Sequence, residues 1–126
     1  MMYLVDTNIL LEIFLNQERK EECKKFLDAN IGRLFLSDFS LHSVGVILFR
    51  HKKHKFFKDF LEDAFNAFWL VELPADGYGC VVEAAEKYGL DFDDAYQVCV
   101  AKEYGLSVVT MDRDFLRVED VAVKLL

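Results

Sequence analysis

Short apolar runs of three or four residues recur along this chain, and a segment of helical length separates each run from the next. The runs lie at residues 3–5, 34–36, 70–73 and 107–110, and a weaker one at 121–123 suggests a fifth strand at an edge. Strands that are joined by helices pair in parallel, because the helix returns the chain to the edge where it started. The alternation therefore predicts an α/β domain with a mostly parallel sheet of four to five short strands.

The segments between these runs carry the apolar spacing and the capping residues of helices. The first helix follows Asp6, whose side chain can cap it, and residues 18–29 read as a charged surface helix. A middle helix runs to Phe49, and a Phe-rich helix is predicted over about 54–69. Two later helices each end in Tyr-Gly-Leu, which is typical of a helix stop with a left-handed glycine. No linker interrupts the pattern, so residues 1–126 are predicted to form a single domain.

Composition and charge exclude two classes of protein. Apolar residues make up 53% of the chain and there is one proline, which excludes a disordered or collagen-like protein. The net charge of −7 excludes a basic protein that coats nucleic acid. Positive charge is nevertheless concentrated in one segment, the basic stripe, which we define as Arg50, Lys52, Lys53, Lys55 and Lys58. The stripe is either a solvated helix junction or a contact surface for phosphates, for which Arg50, Lys52, Lys53 and Lys55 are the candidate residues.

The three cysteines, Cys23, Cys80 and Cys99, are widely spaced and include no C-x-x-C pair. We therefore expect reduced, mostly buried cysteines rather than a disulfide framework or a zinc site. No apolar run approaches the roughly 20 residues that cross a bilayer, so we expect no membrane segment and a cytoplasmic location.

Acidic side chains follow the predicted strands at their carboxyl ends, which is where parallel sheets bind ligands. Asp6 follows the first strand, Asp112 and Asp114 follow the fourth, and Asp93 and Asp94 open a helix. Each position also has an ordinary explanation, as a helix cap, a first helical turn or a polar turn. Carboxylates gathered at one edge repel one another, however, and a divalent cation relieves that repulsion. Oxygen ligands suit Mg²⁺ or Mn²⁺, and such a site can hydrolyse phosphodiesters.

Two other classes of phosphate-handling protein fit this sequence less well. A phosphoacceptor signalling domain needs an aspartate at the end of a central strand, whereas the third apolar run meets Pro74. A haloacid-dehalogenase-type phosphatase needs a second aspartate where Asn8 stands.

Three sequence blocks together resemble the PIN domain family, the fold shared by VapC-type toxins and other Mg²⁺-dependent ribonucleases. Val-Asp-Thr-Asn-Ile-Leu at 5–10 is similar to the opening of that family, and Asp-Asp-Ala at 93–95 to its acidic helix start. Val-Val-Thr-Met-Asp-Arg-Asp-Phe at 108–115 is similar to its closing segment. The blocks occur in the family's order and at its spacing, and they span nearly the whole chain. The resemblance implies a three-layer α/β/α domain.

By position, the resemblance also implies a set of metal ligands and a set of supporting residues. The implied ligands to Mg²⁺ or Mn²⁺ are the catalytic carboxylates Asp6, Asp94 and Asp112, together with the auxiliary Asp114. The implied supporting residues are Thr7, Asn8, Ser43 and Asp93, the last as a substitute for Asp94. Family members usually carry a glutamate in the middle helix, and here its place falls on Ser43, so the acidic quartet is incomplete.

With the resemblance, these features predict a Mg²⁺- or Mn²⁺-dependent ribonuclease that hydrolyses RNA phosphodiester bonds. Its RNA-binding residues would be Arg50, Lys52, Lys53 and Lys55. The resemblance further implies a homodimer and the toxin of a toxin–antitoxin pair, with an antitoxin protein as its partner. Because the quartet lacks its glutamate, the alternative is a PIN-like module of weak catalytic activity that binds RNA or another protein.

Overall fold

Five parallel strands form a single sheet in the computed structural model, which describes residues 1–126. Their order across the sheet is β3-β2-β1-β4-β5. The strands are β1 (Tyr3–Val5), β2 (Leu34–Ser37), β3 (Phe68–Val71), β4 (Ser107–Thr110) and β5 (Val123–Leu125). The first and fourth strands lie where the sequence predicts them, and the predicted edge strand is present but starts two residues later.

Helices cover both faces of the sheet, so the predicted three-layer α/β/α architecture is confirmed. The helices are α1 (Thr7–Phe14), α2 (Lys20–Ala29), α3 (Asp38–Arg50), α4 (His54–Asp59), α5 (Tyr78–Tyr88) and α6 (Phe92–Tyr104). Shorter turns are the π-helical Phe60–Ala64 and the 3-10 helical Phe65–Ala67, Ala75–Gly77 and Arg113–Arg117. No helix is both long enough and apolar enough to span a membrane.

The alternation of side chains along the central strands divides the interior into two cores. Val5 and Val109 point to one face and pack with residues of α1, α2 and α3. Leu4 and Val108, one residue earlier in each strand, point to the other face and pack with α5 and α6. Shifting either strand by one residue would exchange the two faces, so the register is fixed by burial on both sides.

The Phe-rich segment departs from the sequence-based expectation. The helix predicted over 54–69 is wrong only at its last two residues, because the chain continues after α4 as π-helical and 3-10 turns through Ala67. Strand β3 then starts at Phe68, two residues before the predicted strand. Phe68 and Trp69 pair with β2, and the Phe68 ring lies 6.2 Å from that of Phe60, centroid to centroid. Strand pairing and aromatic packing therefore outweigh the helical spacing of these phenylalanines.

Two glycines end α5 and α6 as the Tyr-Gly-Leu sequences predict. Gly89 and Gly105 both have φ of +65°, a left-handed conformation that a side chain disfavours. The leucine after each glycine is buried in the core beside these helices.

The chain order of the strands reverses between β1 and β4. From β1 the chain moves outward through β2 to β3 on one side, whereas β4 and β5 lie on the other side. In open parallel sheets this reversal opens a crevice beyond the carboxyl ends of the two neighbouring strands. The residues that follow β1 and β4 therefore face a common crevice.

The expectation that all three cysteines are reduced is wrong, because Cys80 and Cys99 form a disulfide. Cys80 lies on α5 and Cys99 on α6, and the packing of these two helices brings their Cα atoms to 6.0 Å. A sequence separation of 19 residues gives no hint of this proximity, since it arises only when the helices dock. Cys23 is buried and free, as expected.

Reduction of the Cys80–Cys99 bond should weaken the fold. For a loop of this length we expect a loss of about 3 kcal/mol, because the unfolded chain regains the freedom that the bond removes. Urea unfolding should shift to lower denaturant with dithiothreitol, whereas a Cys80→Ala/Cys99→Ala double variant should unfold identically with and without it. Three reactive thiols in the denatured, unreduced protein, rather than Cys23 alone, would contradict the disulfide.

Candidate functional site

Asp6 is a carboxylate buried at the end of β1, where it is only 7% exposed. It is the N-cap of α1, and its Oδ1 accepts a hydrogen bond of 2.8 Å from the Thr7 amide. The same oxygen accepts a second bond from Gln97 Nε2 at 3.3 Å, and Oδ2 accepts one from Thr110 Oγ1 at 2.7 Å. Asp6 can therefore cap α1 and still bind a ligand. The capping bond uses Oδ1, and Oδ2 keeps one lone pair beside its bond from Thr110.

Thr7 and Asn8 support Asp6 in two different ways. Thr7 uses its backbone amide directly, while its hydroxyl donates to Ser40 Oγ at 2.8 Å. Asn8 acts through Thr110: its Nδ2 donates to Thr110 Oγ1 at 3.3 Å, and that hydroxyl in turn holds Asp6. Thr7 therefore contacts Asp6 directly, and Asn8 contacts it through the Thr110 hydroxyl.

Three further carboxylates lie together beside Asp6. One oxygen from each of Asp94, Asp112 and Asp114 lies within 4.8 Å of the other two. Asp112 Oδ1 accepts from the Asp114 amide at 2.9 Å, and Asp114 forms an ion pair with Arg117 at 3.1 Å. We call Asp94, Asp112 and Asp114 the acidic triad. Asp6 lies outside this triad, so the structure groups the predicted auxiliary Asp114 with two of the predicted catalytic residues.

At the start of α6, one aspartate caps the helix and another is left free for a different role. Asp91 is the N-cap, and its Oδ1 accepts from the Asp94 amide at 3.0 Å. The carboxylate of Asp94 makes no hydrogen bond within the protein and faces the other acids. Capping therefore explains Asp91 and leaves Asp94 available as a ligand.

Most of the predicted site residues line one cavity at the carboxyl edge of β1 and β4. Its volume is about 240 Å³. The predicted residues in its wall are Asp6, Thr7, Asn8, Ser43, Asp93, Asp94 and Asp112. No lysine or arginine lines this acidic cavity, and Asp114 lies exposed at its side. Ser43, onto which the sequence resemblance places the family's glutamate, lines the same cavity as the carboxylates.

The electrostatics of the acidic cavity oppose ionisation of its acids. Burial raises the pKa of Asp94 to about 7, and repulsion from Asp91, Asp6 and the other triad members adds to the shift. Burial also raises the pKa of Asp6, although the hydrogen bonds from Thr110, Gln97 and Thr7 act in the opposite direction. A bound cation would favour the ionised form of both carboxylates.

Gln97 and Ser40 are site residues that sequence reasoning missed. Gln97 Nε2 donates to both Asp6 Oδ1 and Ser40 Oγ, the latter at 2.7 Å. Ser40 is fully buried on α3 and also contacts the hydroxyls of Thr7 and Ser37. The available signal was a lone amide side chain inside the otherwise apolar stretch of residues 95–101.

The basic stripe is divided by the fold. Arg50, at the end of α3, lines a trough of about 350 Å³ that shares Phe39, Ser43 and Ile47 with the acidic cavity. The lysines that follow are oriented by local contacts: Lys53 Nζ lies 4.6 Å from the centre of the Phe56 ring, and Lys55 pairs with Asp59 at 3.1 Å. Lys52 is exposed in the turn between α3 and α4. Of the four predicted RNA-binding residues, Arg50 is the one in the wall of the adjoining trough.

The chain belongs to the PIN domain family, whose sequence model matches residues 3–121. Its fold is similar to that of a toxin–antitoxin complex from Klebsiella pneumoniae, at 24% identity and a TM-score of 0.77, over 95% of each chain. It is also similar to FitAcB from Neisseria gonorrhoeae, at 25% identity and a TM-score of 0.77, over 97% of this chain and 96% of that one. A third similar structure is Mycobacterium tuberculosis VapC20, described as a sarcin-ricin-loop-cleaving toxin, at 17% identity and a TM-score of 0.77, over 90% and 92% of the two chains. No curated protein matches this chain in sequence.

The metal-free protein should become less stable as the pH rises from about 4 to about 7, because of Asp94. Its pKa is about 7 in the folded protein and 3.8 in the unfolded chain, so the folded state holds a proton that the unfolded state releases. This stabilisation is complete below the unfolded pKa and is lost as the pH rises through the folded one. The melting temperature in EDTA should therefore fall as the pH rises, and it should fall less for the Asp94→Asn variant than for the wild type.

Asp28→Asn is the matched control for that measurement, because Asp28 is an exposed carboxylate on α2. It should keep the wild-type pH dependence. Equal slopes in the wild type and Asp94→Asn would contradict the raised pKa of Asp94.

Proposed function

We propose that this PIN domain is a Mg²⁺- or Mn²⁺-dependent ribonuclease that hydrolyses RNA phosphodiester bonds. The observation that carries the proposal is the acidic triad, three carboxylates within 4.8 Å, beside the buried Asp6 in a cavity without a basic side chain. This cavity lies at the reversal of strand order, where parallel sheets bind their ligands. Membership of the PIN family supports the same reading.

The residues present fit a hard divalent cation. The donors are carboxylate oxygens with no cysteine or histidine among them, which suits Mg²⁺ or Mn²⁺ rather than zinc. Two oxygens that share a Mg²⁺ ion lie at most about 4.2 Å apart, close to the spacing of the acidic triad. Burial, and after it repulsion from the neighbouring acids, raises the pKa of Asp94, and a bound cation would offset both.

Each residue then has a distinct part in binding. Asp94, Asp112 and the auxiliary Asp114, whose oxygens lie within 4.8 Å of one another, would hold the cation together with the neighbouring Asp6. Asp93 is exposed at the same helix start. It would add negative electrostatic potential near the cation without bonding to it. When bound, the ion supplies an activated water and neutralises charge on the scissile phosphate.

The trough beside the acidic cavity supports RNA as the substrate. An uncompensated acidic cavity repels a phosphate backbone, so a positive contact next to it is needed to hold the polymer. Arg50 supplies that contact from the wall of the trough. Lys52, Lys53 and Lys55 extend the positive field beyond it, at the start of α4.

The solved relatives support a wider role as the toxin of a toxin–antitoxin pair. One is described as a toxin–antitoxin complex and another as a toxin that cleaves the sarcin-ricin loop. For this chain we propose an antitoxin protein as a partner, a homodimer as the assembly and the cytoplasm as the location. The partly exposed apolar residues Val46 and Phe49 on α3 offer surface for such contacts.

Ser43 favours a second function, that of a catalytically weak PIN module that binds RNA or protein. A serine hydroxyl in the cavity wall is a neutral, weak ligand where the family usually places a carboxylate. Metal-dependent cleavage by the purified protein separates the two functions, because the module would bind RNA without turnover.

Asp94→Asn should abolish Mn²⁺-dependent cleavage of a short fluorescent RNA. Since the Asp94 carboxylate makes no hydrogen bond within the protein, the change removes a ligand charge and leaves the fold intact. We expect a loss of at least about 100-fold, beyond the cost of altering a residue that only supports a ligand. Asp28→Asn should cleave like the wild type, and RNA cleavage by Asp94→Asn at the wild-type rate would contradict the proposal.

Ser43→Glu should tighten Mn²⁺ binding by about 1–3 kcal/mol, because it adds a charged ligand to the acidic cavity. It should also raise cleavage, and it should lower the melting temperature without metal by crowding another carboxylate against Asp94. Ser43→Gln has the same size without the charge and serves as the control in titration calorimetry. Equal Mn²⁺ affinities in the Glu and Gln variants would place residue 43 outside the metal's reach.

A further inference from the structure

Gln97 is a buried amide with one satisfied end and one unsatisfied end. The side chain is 1% exposed on α6, one helical turn after Asp94. Its Nε2 donates to Asp6 Oδ1 at 3.3 Å and to Ser40 Oγ at 2.7 Å. Its Oε1 is fully buried and has no hydrogen-bond partner. A buried acceptor without a partner destabilises a fold, so the stability of the core does not explain this residue.

The contacts of Gln97 determine which oxygen of Asp6 remains free. A carboxylate oxygen offers two lone pairs, and the Thr7 amide and Gln97 Nε2 together occupy both on Oδ1. Oδ2 accepts only from Thr110, so it keeps one lone pair for a ligand. Without Gln97, Oδ1 would have a free lone pair as well, and the carboxylate would lose one of the three bonds that fix its rotation.

Removal of the amide would leave no other buried group without a partner. Asp6 would keep the bonds from Thr7 and Thr110, and Ser40 would keep those with Thr7 and Ser37. The unpartnered Oε1 would disappear as well. An apolar side chain of similar length is therefore compatible with the fold, and what it removes is the orientation of Asp6.

We propose that Gln97 is a positioning residue that holds the Asp6 carboxylate with Oδ2 directed toward the cation of the acidic cavity. The same amide joins Asp6 to Ser40, so it also sets the distance between the end of β1 and the start of α3, which carries Ser43. The inference rests on the proposed metal-dependent function and concerns metal binding before any turnover.

The test is Mn²⁺ titration calorimetry together with metal-free melting curves on Gln97→Met, with Gln97→Leu as a second apolar variant. Both variants should melt in EDTA at or above the wild-type temperature, because they lose an unpartnered buried acceptor. Both should bind Mn²⁺ about 10- to 100-fold more weakly, the range for residues that orient a metal ligand.

Val100→Ala is the matched control, because Val100 is fully buried in the core on the same helix and does not line the acidic cavity. It should melt at a lower temperature and keep the wild-type Mn²⁺ affinity, the reverse of the Gln97 variants. Unchanged Mn²⁺ affinity in the Gln97 variants, or a large loss of metal-free stability in both, would overturn the positioning role. A wild type that binds no Mn²⁺ would instead overturn the proposed function, and the inference with it.

Discussion

The rest of this site depends on Asp6, a carboxylate that is buried at the end of β1. Asp6 is fixed by donors from α1, α6 and β4, and Ser40 ties the same network to α3. All of these donors are neutral, so they orient the carboxyl group without supplying a countercharge. Burial of such a group opposes its ionisation and raises the pKa of Asp6, and proteins accept that cost where the group has a use. The network therefore closes the crevice end of the sheet and keeps the Asp6 carboxyl group in place.

The distribution of charge around Asp6 extends this argument. The acidic triad adds three carboxylates, and the nearest countercharge among them is the ion pair of Asp114 with Arg117 beside the cavity. A fold that needed only stability would place a basic side chain in the wall, yet none lines the acidic cavity. On the proposed function, a cation from solution supplies the compensation. Such a site would change its stability and its proton occupancy when the cation binds or leaves.

The sequence predicts those parts of the structure that local patterns determine. Strands β1 and β4 and the glycine stops were predicted correctly, and the acids at strand ends were brought to one edge because parallel strands share that edge. The features that the sequence did not predict depend on contacts between distant segments. The boundary of β3 is set by pairing with β2, the Cys80–Cys99 bond by the docking of two helices, and the role of Gln97 by the meeting of four elements. Arg50 and the lysines after it look alike in sequence, and only the turn after α3 separates them.

If the proposed function is correct, Asp6 and the acidic triad together hold a divalent cation. Anomalous diffraction from crystals soaked in Mn²⁺ is the decisive measurement, because the signal locates the ion without assuming its ligands. We expect one strong peak in the acidic cavity, within bonding distance of carboxylate oxygens from Asp6, Asp94 and Asp112, with Ser43 nearby. A peak elsewhere, for example at His51 and His54, or no peak at saturating Mn²⁺ would contradict it.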